Sequence, residues 1–136
     1  MCIRRVARYL AALALAGRGA AAEALLLYLD RGASARDAAA DAGVTPEALR
    51  SMARRLYEMC GGYARAVAAL RLLAPCVGVV EPAVERGRHQ YALCSVCGET
   101  VPVDRAAQHM ELRHPDLVEE AAAEVIACAK SRLHRR

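Results

Sequence analysis

Across residues 3–73, apolar side chains recur at intervals of three and four, the period of an α-helix, and glycines mark where each run stops. Ile3, Val6, Leu10 and Leu13 form one stripe, which predicts an amphipathic first helix ended by Gly17 and Gly19. Leu25, Leu26 and Leu29 give the buried face of a second helix within residues 21–32. A short third helix starts at Ser34, placed as an N-cap with Asp37 three residues on in the position of the capping-box acid, and closes at Gly43. A fourth has Thr45 as N-cap, Pro46 in its first position and Glu47 in its first turn, and stops at Gly61 and Gly62. The fifth, over residues 63–75, turns Val67, Leu70 and Leu73 inward and ends at Pro75.

After Pro75 the pattern changes. Pro75, Gly78, Pro82 and Gly87 break any helix up to residue 90, and the apolar run at residues 77–80 reads as a short strand in a connector. Residues 91–103 read as a hairpin of two β-prone arms, residues 104–114 as a helix started by Asp104, and the chain from Pro115 as a last helix. That helix has Asp116, Glu119 and Glu120 near its start and Lys130, Arg132, Arg135 and Arg136 at its end, which complements the helix dipole. The expectation is a mainly α fold in two units, a helical domain over 1–74 and a smaller one over 91–136, joined by 75–90.

Composition narrows the picture a little. The chain has 136 residues and a formal charge of +4, a mild excess that permits an anionic partner without requiring one. Lys130 is its sole lysine, and Asn, Phe and Trp are absent. That bias fits a GC-rich genome, and scarce amides fit a hot environment. The opening residues imitate a secretory signal, but Arg8 interrupts the apolar run. No stretch approaches the roughly 18 apolar residues that span a bilayer. The reading is a soluble, cytoplasmic protein with no membrane partner.

The chemistry concentrates in the second unit. Cys94, Cys97, His109 and His114 follow the order Cys-x2-Cys-x11-His-x4-His. Two thiolates and two imidazoles suit tetrahedral Zn2+, and four protein ligands leave no open position for an activated water. Such a metal is structural. Together with the hairpin and helix, residues 91–116 resemble the two-cysteine, two-histidine zinc fingers, small ββα units in which metal substitutes for a core. The gap between the second Cys and the first His is one residue shorter than usual, and Ala106 stands where a large core residue is expected, leaving Val101 as the apolar anchor. Residues five apart on a helix diverge by about 140°, so His109 and His114 converge on one ion only if the helix loosens, which Pro115 promotes. Cys2, Cys60, Cys76 and Cys128 are either buried thiols or, in a hyperthermophile, disulfides.

The first unit carries a second signal. Ala39 sits where only a small side chain lets two helices approach, Gly43 supplies the turn four residues later, and Ala38, Ala42, Val44, Leu49 and Met52 fall at apolar positions. Residues 20–60 thereby resemble the helix-turn-helix family of transcription regulators. The resemblance implies that the helix from Pro46 is a recognition helix entering the major groove of double-stranded DNA, with Thr45, Glu47, Arg50, Ser51, Arg54 and Arg55 exposed to it. Arg50 and Arg54 would then meet guanine edges or phosphates. Such proteins usually dimerise, and a homodimer would use the first helix or the stripe Leu117, Ala121, Val125 and Cys128. The alternative is an adaptor that binds RNA, a ribosome or another protein, partly through the finger. No acid–base or nucleophile constellation marks an enzyme.

Overall fold

The computed structural model describes residues 2–135; Met1 and Arg136, the latter read as part of the basic helix end, lie outside it. Among the described residues seven α-helices and a three-stranded antiparallel sheet follow in the order α1(Ile3–Leu15), α2(Ala20–Leu29), α3(Ala35–Ala40), α4(Pro46–Cys60), α5(Tyr63–Leu73), β1(Val84–Arg86), β2(Tyr91–Cys94), β3(Thr100–Pro102), α6(Ala106–Arg113) and α7(Pro115–His134). Short 3-10 helices occupy Ala74–Val79 and Val103–Arg105. No single described helix is long and apolar enough to cross a membrane.

The helix boundaries follow local chemistry. The Ser34 hydroxyl accepts the Asp37 N–H at 3.0 Å to open α3, and the Thr45 hydroxyl accepts the Ala48 N–H at 3.0 Å to open α4. Each satisfies a donor that the first turn leaves without a helical partner. Helix α4 ends where Gly61 takes a left-handed φ of 72°, a conformation that costs a glycine little.

Helix α1 is amphipathic as expected in its first turns, where Arg4 and Arg5 are exposed, and is enclosed beyond Arg8. From Tyr9 to Ala16 every residue is buried, so the stripe of Ile3, Val6, Leu10 and Leu13 is only one side of an enclosed helix. Leu10, Ala11 and Ala12 are wholly inaccessible, although they point in different directions round the axis. Helices α2, α4, α5, α6 and α7 and the first 3-10 helix all pack on α1. The packing is close because many contact residues are alanines, and small side chains let helix axes approach. Leu25, Leu49, Leu56, Leu70 and Leu73, all fully buried, fill the spaces between.

The first part of the segment 75–90 reaches this core through Cys76, Val77 and Val80, whereas residues 85–90 are exposed. The apolar run read as a strand is instead part of the 3-10 helix Ala74–Val79, whose Cys76 and Val77 are buried among α1, α2, α5 and α7. Among the described residues no strand pairs with it, and Cys76 is held by a disulfide to Cys128 on α7. The strand in this segment is β1, which was not expected. It joins the sheet in the order β1-β2-β3, with Glu85 opposite Leu93 and Ala92 opposite Val101. The Ala83 N–H donates to the Leu15 carbonyl at 2.8 Å, which hangs the sheet on the end of α1.

A second disulfide joins Cys2, just before α1, to Cys60 at the end of α4. The bridges close loops of 58 and 52 residues. In the chain-entropy account each such closure stabilises the fold by about 4 kcal/mol. The stripe on α7 faces inward, with Ala121 and Val125 buried and Cys128 in its disulfide. The stretch Tyr9–Ala16 of α1 is likewise covered within the chain, while its first turn leaves Arg4 and Arg5 exposed.

Two outcomes are expected. Leu10→Ala, which empties a site of zero exposure, lowers the unfolding free energy by about 2–5 kcal/mol, whereas Leu112→Ala, 70% exposed, changes it by less than about 0.5 kcal/mol in denaturant titrations. The second concerns Asp30, whose carboxyl is held below its usual range by a hydrogen bond from Arg71 (Nε to Oδ1, 2.9 Å). A depressed carboxylate pKa contributes stability above its unfolded value and loses it as pH falls through the folded value. Arg71→Ala should therefore melt below wild type at neutral pH, and the gap should close as pH drops below about 4.

Candidate metal centre and exposed helix face

Four short pieces of chain bring the sulfur and nitrogen donors together. Cys94 ends β2 and Cys97 follows in the turn, where the Gly98 N–H donates to the Cys94 carbonyl at 2.8 Å and the Cys94 N–H to the Glu99 carbonyl at 2.9 Å. His109 lies on α6. His114 falls between α6 and α7 with φ −132° and ψ 52°, outside helical geometry and directly before Pro115. Helix α6 itself begins at Ala106 after a 3-10 turn, with no side-chain cap from Asp104, a later start than the sequence suggested.

The donor atoms of Cys94, Cys97, His109 and His114 all lie within 4.8 Å of one another. Cys94 Sγ is 3.5 Å from His114 Nε2, and Cys97 Sγ is 3.5 Å from His109 Nε2. A tetrahedral site with metal–sulfur bonds of about 2.3 Å and metal–nitrogen bonds of about 2.0–2.1 Å has sulfur–nitrogen edges of about 3.5 Å. The group is compatible with a metal ion in both donor chemistry and spacing. Cys94 is fully buried, His109 is 9% exposed, and Cys97 is exposed, so one edge of the site faces solvent.

Glu99 was not singled out in the sequence, yet it belongs to the site. Its Oε2 is 3.4 Å from His109 Nδ1 and 3.8 Å from Arg113 Nη2. A carboxylate at Nδ1 favours the tautomer with the proton there, which would leave the Nε2 lone pair free to ligate a metal ion. The available signal was an acid two residues past Cys97, too common at surface turns to be distinctive.

The unit around this centre is tied to the rest of the chain. Met110 of α6 is fully buried in the main core, and Val101 packs with Ala106 against Ala16. Val101 thus occupies the apolar position expected of it, but it anchors against a residue beyond the hairpin and helix.

Of the residues assigned to a nucleic-acid face, Thr45, Glu47, Arg50, Ser51, Arg54 and Arg55 are all exposed. Helix α4 buries the opposite side through Leu49, Met52, Ala53 and Leu56. Helices α2, α3 and α4 pack on one another, Ala38 and Ala39 are buried, and Gly43 has a left-handed φ of 69°. Arg50 and Arg54 lie one turn apart on the outer face. Arg55 lies at its edge near Tyr9 and Glu111. Burial pushes both of those groups up in pKa, while Arg55 pulls the other way, joined by Arg18 at the tyrosine and Arg8 at the glutamate. Glu58, exposed one turn beyond Arg54, adds an acid to this surface that the sequence reading left out.

No family model matches the chain, and neither a curated protein nor a solved structure matches it.

The role of Glu99 can be measured directly. Glu99→Gln is expected to weaken Zn2+ affinity about tenfold or more in competition with a chromophoric chelator, as loss of a carboxylate behind a histidine ligand does elsewhere. The protein should remain folded, since Glu99 is exposed.

Proposed function

We propose that this chain is a DNA-binding transcriptional regulator that uses α4 as its reading helix and holds Zn2+ as a structural ion. The carrying observation is the pair Arg50 and Arg54, on the outer face of a capped helix that follows the Gly43 turn. The Thr45 hydroxyl accepts the Ala48 N–H, so its own proton is available to a phosphate oxygen. Around the β1–β2 turn Arg86 and Arg88 are exposed and add positive charge outside α4.

Cys94, Cys97, His109 and His114 would hold the zinc. With all four positions taken by protein, the ion would supply fold stability and no Lewis-acid chemistry, so no enzymatic activity is assigned. Placed in a cytoplasm, two disulfides point to a hyperthermophile, where intracellular proteins are rich in them.

One observation favours a second reading, an adaptor for protein or RNA. Tyr91, Leu93 and Val96, on and beside the outer face of the sheet, and Leu112 on α6 are large apolar residues left exposed. Such exposure suits a partner surface.

Selection from a random duplex DNA library at moderate salt separates the two. The zinc-loaded protein should enrich a common motif that Arg50→Ala/Arg54→Ala cannot select. Against the enriched site, the double variant should show a salt dependence shallower by about 2 in log–log slope if both arginines meet phosphates. Equal enrichment by both proteins, or none, would favour the adaptor.

A further inference from the structure

One cavity lies away from the metal-ligand group and from the outer face of α4. It has a volume of about 810 Å3 and opens between the start of α1, the last turn of α4 and the middle of α5. Ile3, Met59 and Leu72 line it with apolar surface beside the Cys2–Cys60 disulfide, and the charged residues on it are Arg5 and Arg65. Among the described residues no acid lines it.

We propose that this cavity binds a small amphipathic carboxylate, with its apolar body against Ile3, Met59 and Leu72 and its carboxylate on Arg5 and Arg65. The volume falls within the range of small-molecule sites, which are largely apolar with a few polar groups to fix orientation. Charge selects the class of ligand. Two guanidiniums with no acid between them repel a cation and leave a neutral ligand unrewarded, whereas a carboxylate forms charge-assisted hydrogen bonds with both. The C-terminal end of α4 at Cys60 and Gly61 also lines the cavity and opposes an anion, so the attraction rests on the two guanidiniums.

The cavity is also largely preformed. The disulfide joins the start of α1 to the end of α4, and α5 begins at Tyr63, only two residues beyond α4. Its three walls are therefore fixed relative to one another before any ligand arrives, and ordering them costs the ligand little. This inference does not depend on nucleic-acid binding.

The test uses the full, zinc-loaded chain with 13C-labelled methionine methyls. Met59 lines the cavity, while the buried Met52 and Met110 lie elsewhere and report on the fold. Decanoate should shift the Met59 resonance saturably and leave Met52 and Met110 in place. Decanamide, of equal chain length and no charge, should bind at least about tenfold more weakly, and Arg5→Ala/Arg65→Ala should lose a similar factor for decanoate only. Both arginines are exposed, so unchanged Met52 and Met110 signals will show that the variant folds. Absence of a saturable Met59 shift would overturn the proposal. Equal affinity for decanoate and decanamide, unaltered in the variant, would overturn it too, because apolar partitioning alone would then account for binding.

Discussion

Helix α1 has to be enclosed. Between Tyr9 and Ala16 it presents only apolar or aromatic side chains, in every direction round its axis, and one neighbouring helix can cover only part of that surface. The remaining helices are arranged as a sheath, with α2, α4, α5, α6 and α7 each in contact with it. Most of the chain's architecture follows from this requirement. Without it, α7 would have no apolar bed for Val118 and Val125, and the 3-10 helix at Ala74–Val79 would have nothing to bury Cys76 and Val77 against.

The metal-ligand group is part of the same sheath. Its helix sends Met110 into the main core, its third strand sets Val101 against Ala16, and its sheet is hydrogen-bonded to the Leu15 carbonyl. A free-standing unit of this size relies on its ion to replace a core it is too small to build. Here the unit also borrows a core from α1 and covers the end of that helix in return. An ion held by these donors would be coupled to the burial of α1, since loosening α6 would expose Met110 and Ala16 together.

How much of this could be read in the sequence depended on how local the cause was. Ser34, Thr45, Pro46 and Gly61 act within one turn of backbone, and the helix limits they imply are those seen. The four metal donors were legible because order and spacing in the chain restrict them, down to the non-helical His114 ahead of Pro115. What escaped was set by distant partners. The apolar run after Pro75 has the composition of a strand, but no sheet edge lies beside it, and Cys128 is 52 residues away. Strand β1 is three residues long in a segment full of helix breakers, and only its pairing with β2 defines it. The second and third turns of α1 contain more alanine than leucine, so a stripe-based reading caught one face and missed that the others are buried as well.

The six cysteines divide into two kinds, two bridged pairs and the pair Cys94 and Cys97 left as thiols. That division implies an order of assembly. Before any ion is bound, all six thiols compete for the same oxidant, and six can pair wrongly in many more ways than four. An ion that captures Cys94 and Cys97 as thiolates removes both from the competition, leaving Cys2, Cys60, Cys76 and Cys128 to find one another as the sheath closes round α1. Metal arriving after oxidation would meet a population in which some chains had already spent a ligand on the wrong bond. With a metal ion bound at Cys94 and Cys97, the history of the thiols would help to set the yield of native protein.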